Sequence, residues 1–148
     1  MAFLTLTKRF TFEMAHLLPH YEGLCKNIHG HSYKLDVTLS GEPNHDKGTH
    51  SEGMIIDFKE FKQIINQSVI DIVDHSLVLN RQTDEILINF MQKQNLKLFL
   101  VDYRPTTENF LLDFANKIQG QLPSGITLYQ LRLQETEGSL AEWHAFEK

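Results

Sequence analysis

One cysteine, one tryptophan and four prolines in 148 residues are the scarcest elements of this chain. A single thiol excludes an internal disulfide framework and fits a reducing compartment. No stretch approaches the roughly 18 consecutive apolar residues of a membrane-spanning helix, so no helical membrane segment is expected. Basic residues are outnumbered, 14 Lys and Arg against 19 Asp and Glu, for a formal net charge of −5. That balance gives no basic field for nucleic acid, and an anionic substrate must meet local cations instead. Residues Met1 to Glu13 carry charges and alternate like a strand, unlike a secretory leader, so a cytoplasmic location is expected. Repeats and low-complexity tracts are missing as well.

What remains is an ordinary globular composition, 41% hydrophobic and 22% charged. A single domain spanning 1–148 is expected, and a domain near this size buries about 68–70% of its extended-chain surface. The most informative stretch is Cys25-Lys26-Asn27-Ile28-His29-Gly30-His31. On a β-strand His29 and His31 share a face with Tyr33, Leu35, Val37 and Leu39. Upstream, His16 shares a face with Phe10, Phe12 and Met14. Two adjacent strands would then gather three imidazoles at the end of an apolar surface. Three neutral imidazoles with one position open are the ligand set of a catalytic zinc, whereas a lone histidine on such a face is usually a hydrogen-bonded core residue. Gly30 between the pair lets the backbone come close to a ligand.

Strands are expected over roughly 3–16 and 29–40, followed by a polar loop to Gly53 that holds His45 and His50 in solvent. Asp57 with Glu60 resembles a capping box, and Phe58, Phe61, Ile65 and Ile72 mark the apolar stripe of a helix reaching Val73. A second helix follows Pro105 and the candidate caps Thr106 and Thr107, with Leu111, Phe114, Ala115, Ile118 and Leu122 as its stripe. Two more strands, 126–135 and 139–146, complete an α+β order β-β-α-α-β-β. This predicts a four-stranded antiparallel sheet with two helices on one face. An added segment, 81–104, has room for a short helix at 85–93 and a short strand at 97–101. The sheet's other face and edges call for cover, most simply by oligomerisation.

Several other side chains can carry chemistry. Cys25 is either an inert apolar residue or, beside a bound cation, a thiolate base. His75 just past a helix end suits the helix dipole, but with Asp74 it could also relay a proton. Glu135 shares strand phase with Tyr129, Leu131 and Leu133, so its carboxylate either turns to solvent or needs donors. The N3–H and 2-amino group of a pterin or guanine supply two parallel ones, each charge-assisted bond contributing roughly 1.5–3 kcal/mol. Glu108 suits a helix N-terminus without further function.

Taken together, Phe12-Glu13-Met14-Ala15-His16, Cys25-x-x-x-His29-Gly30-His31, Asp57-Phe58, Asp74-His75-x-x-x-x-Asn80, Pro105-Thr106-Thr107-Glu108-Asn109 and Glu135-Thr136 resemble the 6-pyruvoyltetrahydropterin synthase / 6-carboxytetrahydropterin synthase family. The resemblance runs over essentially the whole chain. It implies the tunnelling fold (T-fold), in which subunits form a barrel with pterin sites between them, typically a homohexamer built as a dimer of trimers. It implies zinc on His16, His29 and His31, Cys25 as base, and Asp74 with His75 as its relay. Glu135 matches the pterin-anchoring and relay glutamate, and Thr107 and Glu108 match pocket-lining positions. The implied substrate is 7,8-dihydroneopterin triphosphate. Cys25 lies four residues before His29, a spacing that resembles the bacterial 6-carboxytetrahydropterin synthases of queuosine (7-deazapurine) synthesis; the 6-pyruvoyl enzymes place it two residues further back. The competing classes are a zinc-binding assembly protein, which has no use for Cys25, His75 and Glu135, and a cysteine hydrolase, which has no use for the histidine trio.

Overall fold

Alternation in the first forty residues builds the centre of the molecule. In the computed structural model, which describes residues 3–82 and 84–145, β1 (Thr5–His16) and β2 (His29–Gly41) form a long antiparallel ladder in which His16 faces His29 and Phe12 faces Tyr33. One face of this ladder is buried: Phe12, Met14, Tyr33, Leu35, Val37 and Leu39 all lie in the core. The reverse face is polar and tied across the strands, with a bidentate Arg9–Asp36 pair at 2.7 and 2.9 Å and a Thr7–Thr38 bond at 2.8 Å.

Beyond β2 the sheet continues through β5 (Ile126–Thr136) and β6 (Ser139–His144), both antiparallel. These four strands are the expected meander, but the sheet does not stop there. On the other side of β1 lie β3 (Ser76–Asn80) and β4 (Leu98–Val101), paired in parallel. The sheet is therefore six-stranded and mixed, in the order β4-β3-β1-β2-β5-β6, and not four-stranded and antiparallel. Ser76–Leu79 are buried without alternation, as a strand covered on both faces should be, so period-2 patterning gives it no signal.

Burial on both faces has a cause. Helices α1 (Phe58–Ile65) and α4 (Thr107–Gln119) pack on the histidine-bearing face, where Phe61, Ile65, Phe110 and Phe114 join the main core. Helix α3 (Glu85–Lys93) covers the opposite face over β3 and β4, where Leu77, Leu79 and Ile88 form a second small core. The added segment thus widens the sheet and caps its far end.

The first long helix also departs from the expected stripe. After α1 the chain passes through a π-helical segment (Asn66–Ile70) into the single turn α2 (Asp71–Val73). The fully buried residues are Phe61, Ile65, Val69 and Val73, while Phe58 is 53% exposed and Ile72 only partly buried. A repeat of four outruns the 3.6 residues of an α-turn, and the wide π turn keeps that row facing the sheet. Asp57 caps α1 through Lys59 N–H at 2.7 Å, and Thr106 caps α4 through Asn109 N–H at 3.3 Å. His45 and His50 are exposed, as expected.

Candidate active site

The β1–β2 register places three imidazoles where the core ends. His16, at the last position of β1, is 2% exposed, and His29 and His31 are half-buried. One ring nitrogen from each lies within 4.8 Å of the others. Backbone carbonyls fix two of the rings: Pro105 O lies 2.8 Å from His16 Nδ1, and Asn27 O lies 2.8 Å from His29 Nδ1. A carbonyl can only accept, so each Nδ1 carries a proton and Nε2 is the nitrogen left to face inward.

Among the described residues nothing forms a hydrogen bond to two of these nitrogens. His16 Nε2 and His31 Nε2 are buried without a hydrogen-bond partner. Buried acceptors facing one another are unfavourable unless a shared cation or proton lies between them. Three imidazole donors, two of them held by carbonyls through the far nitrogen, fit a metal ion and leave a fourth position open. Burial, reinforced by the neighbouring His16 and His29, holds the His31 ring below its ordinary basicity against the pull of Glu135, which favours the neutral ligand form.

Glu135 stands beside this group. Gln134 pairs with Leu140 and Thr136 with Ser139, so Glu135 is the extra residue of a β-bulge that aims its side chain inward. Its Oε1 lies 3.4 Å from His16 Nε2 and 3.2 Å from His31 Nε2. The His16 ring, followed by His31 and the Thr107 hydroxyl, holds this carboxyl below the usual range although burial opposes it. The attraction to His16 needs a proton on the ring, because a bare Nε2 has nothing to donate. Tyr33, fully buried in the row beneath His31, offers its hydroxyl to Oε1 at 3.4 Å, and burial beside that carboxylate raises its own pKa far above normal. Its strand phase with the histidines was the available signal for this contact.

In front of His16 and Glu135 lies a cleft of about 230 Å³, walled by Leu18, Thr106, Thr107, Glu108 and the β6 residues Ser139 to Ala141. Small-molecule sites usually enclose roughly 300–1,000 Å³. This cleft is somewhat smaller. Thr107 and Glu108 are where the sequence places them; the β6 wall carries no chemical signature by which sequence could find it.

The remaining site residues lie elsewhere. Cys25 sits half-buried in a 3₁₀ turn (Leu24–Lys26), its carbonyl accepting from Leu18 N–H at 2.8 Å. Asp74 and His75 occupy the corner between α2 and β3, and they pair at 3.0 Å. His75 has φ +60°, in the left-handed region, rather than closing a helical turn, and its N–H meets Glu13 O at 2.6 Å. The Asp74 carboxyl resists the upward push of burial and stays low through the Glu13 N–H at 2.9 Å, His75 and Lys97. The His75 side chain is 77% exposed and faces a second cleft of about 340 Å³, lined also by Glu13, Gly30, Ser32 and by His31 of the histidine trio. Gly30 thus opens toward His75; a Cβ there would meet Met14 O at an ordinary 3.5 Å. His75 lines the second of these clefts, and Cys25 neither of the two.

Known proteins resemble this chain in sequence and in fold. A curated relative from Haemophilus influenzae, named 6-carboxy-5,6,7,8-tetrahydropterin synthase, is 33% identical over 140 residues, covering 93% of this chain and 96% of its own. A protein from Pyrococcus horikoshii with the same name, marked putative, is 30% identical over 142 residues, 88% of this chain and 83% of its own. Among solved structures, an uncharacterized protein from Wolinella succinogenes superposes with a TM-score of 0.79 at 18% identity, over 97% of this chain and 99% of that one. The 6-pyruvoyl tetrahydropterin synthase of Caenorhabditis elegans gives 0.69 at 24% identity, over 99% and 98%. These two establish the fold, that of T-fold proteins. The sequence model for 6-pyruvoyl tetrahydropterin synthase matches residues 5–145, from the start of β1 to just past the end of β6. With nearly all of the chain accounted for in this way, it belongs to the 6-pyruvoyl tetrahydropterin synthase family of pterin synthases.

Proposed function

We propose that the protein converts 7,8-dihydroneopterin triphosphate to 6-carboxy-5,6,7,8-tetrahydropterin, acetaldehyde and triphosphate, as a zinc-dependent lyase of queuosine (7-deazapurine) biosynthesis. The observation that carries this is the convergence of three imidazoles with the Glu135 carboxylate beside them, in a chain whose curated relatives are named for that product. His16, His29 and His31 would hold the zinc, which when bound would supply Lewis-acid stabilisation of negative charge on the substrate's side-chain oxygens.

The chain's own residues do the rest. Glu135 accepts the pterin N3–H and 2-amino protons on its two oxygens, fixing the ring. Thr107 and Glu108 wall the ring's edge. The Cys25 thiolate takes a proton from the substrate side chain, and His75, oriented through Nδ1 by Asp74, shuttles it onward. A positioned base of this kind contributes about 10²–10⁴-fold. The active unit is an oligomer in which one copy's Asp74–His75 pair completes its neighbour's site, a homohexamer in the reading offered by the resemblance. The compartment is the cytoplasm.

The decisive experiment incubates pure protein with 7,8-dihydroneopterin triphosphate and an aldehyde trap. Acetaldehyde in step with 6-carboxytetrahydropterin and triphosphate is expected. Triphosphate with 6-pyruvoyltetrahydropterin and no aldehyde would move the chain to the 6-pyruvoyl activity, for which the matching family description speaks. Zinc binding without turnover would leave an assembly protein.

A further inference from the structure

Two asparagines in the segments that carry the family resemblance, Asn80 and Asn109, have no part in the chemistry above, yet both reach the strand of chain that holds His16. Three consecutive carbonyls, those of Tyr103, Arg104 and Pro105, each accept a side-chain donor from a different element. Asn80 Nδ2, at the end of β3, donates to Tyr103 O at 3.1 Å. Asn109 Nδ2, in the first turn of α4, donates to Arg104 O at 2.9 Å. His16 Nδ1, at the end of β1, donates to Pro105 O at 2.8 Å. The orientation of the Asn80 amide is settled by its other end, since Oδ1 accepts Gln82 N–H at 2.9 Å. Pro105 has no N–H of its own and cannot anchor the turn from that side.

We propose that Asn80 and Asn109 are positioning residues that fix the Tyr103–Pro105 backbone so that Pro105 O selects the Nδ1–H tautomer of His16 and aims its Nε2 at the metal position. The inference rests on the metal reading of the histidine trio. Partners that orient a ligating histidine through its far nitrogen typically change metal affinity about 10–100-fold when lost. The same backbone leads directly into Thr106, Thr107 and Glu108, so the clamp sets the cleft wall and the ligand together.

Asn80→Asp and Asn109→Asp are near-isosteric and remove only the donated proton, placing a carboxylate oxygen against a carbonyl. At position 109 a carboxylate in the first turn of α4 also favours the helix dipole, so helix loss does not confound that variant. Metal-free protein is titrated with zinc against a chromophoric chelator, and the His16 ring nitrogens are followed by ¹⁵N NMR before zinc is added. Expected are a 10–100-fold weaker zinc affinity in each variant and a His16 signature shifted from the Nδ1–H form toward a tautomer mixture. Wild-type zinc affinity together with an unchanged His16 signature in a folded Asn109→Asp protein overturns the proposal. If the wild type itself takes up no zinc, the metal reading falls, and the metal-free tautomer signature still decides whether the clamp sets His16.

Discussion

The histidine centre and the Asp74–His75 corner are built on the same strand, β1, and differ in almost everything else. His16 projects from β1 into the core, its ring nearly inaccessible and held by Pro105 O. His75 leans on the backbone of Glu13, three residues earlier in β1, but its ring stands in solvent on the opposite face. The first centre gathers three ring nitrogens within 4.8 Å of one another, a set that could hold a metal ion. The second is an exposed ring oriented by Asp74 at 3.0 Å.

Removing a ligand should break this comparison most severely. His16→Ala or His31→Ala is expected to lower zinc from about one per chain to near zero, because two imidazoles cannot replace three, while His75→Ala should retain it. Metal analysis after dialysis against a weak chelator checks both; full occupancy in His31→Ala would end the assignment. Next in size, Cys25→Ala should keep fold and metal and lose about 10²–10⁴-fold in turnover. Mixing unfolded Cys25→Ala and His75→Ala chains and refolding them together should restore part of the activity, since some sites then pair an intact thiol with an intact histidine. No recovery in confirmed mixed oligomers would place both groups in one chain's site.

A smaller effect is expected where the carboxylate meets the ring. Glu135→Gln loses a charge and one of two parallel acceptors, so pterin binding measured by calorimetry should weaken about 10–100-fold, the equivalent of one charge-assisted bond of roughly 1.5–3 kcal/mol. Unchanged affinity would confine Glu135 to proton relay. The smallest effect concerns the polar face. The Arg9 guanidinium holds the Asp36 carboxyl below its ordinary range, with burial opposing and Arg132 assisting. A depressed folded-state value means that the pair stabilises above the ordinary aspartate range, near pH ~4, and that this is lost as pH falls through the lower folded value. Urea unfolding from about pH 7 to about pH 3 should therefore show a modest gap between wild type and Asp36→Asn that closes at the acid end. A gap independent of pH would mean that the pair contributes through packing.

Where local phase decided position, the sequence was legible. Period-2 alternation in β1 and β2 put His16, His29 and His31 together correctly, because the strands are consecutive neighbours in the sheet and their register follows from which face is buried. Glu135 was found in the same way. Phase failed where burial is two-sided or the helical repeat changes. Ser76–Asn80 was hidden because α3 covers its second face, and Val69 and Val73 were missed as core because the π segment resets the row. The carbonyl of Pro105 as a histidine partner could not be read at all: it is a backbone atom 89 residues away. The left-handed corner that sets His75 against Glu13 O was equally invisible, since residue types reveal a reaction's ingredients without their arrangement.

His75 also bears on how the protein can be improved or ruined. A non-glycine residue at φ +60° carries about 1–3 kcal/mol of backbone strain, although histidine tolerates this region better than most residues. Asparagine is more at home there, so a selection for heat resistance alone should favour His75→Asn and discard the ring. The corner is a point where durability and turnover pull in opposite directions, and thermostable variants recovered without an activity screen should be sequenced there first.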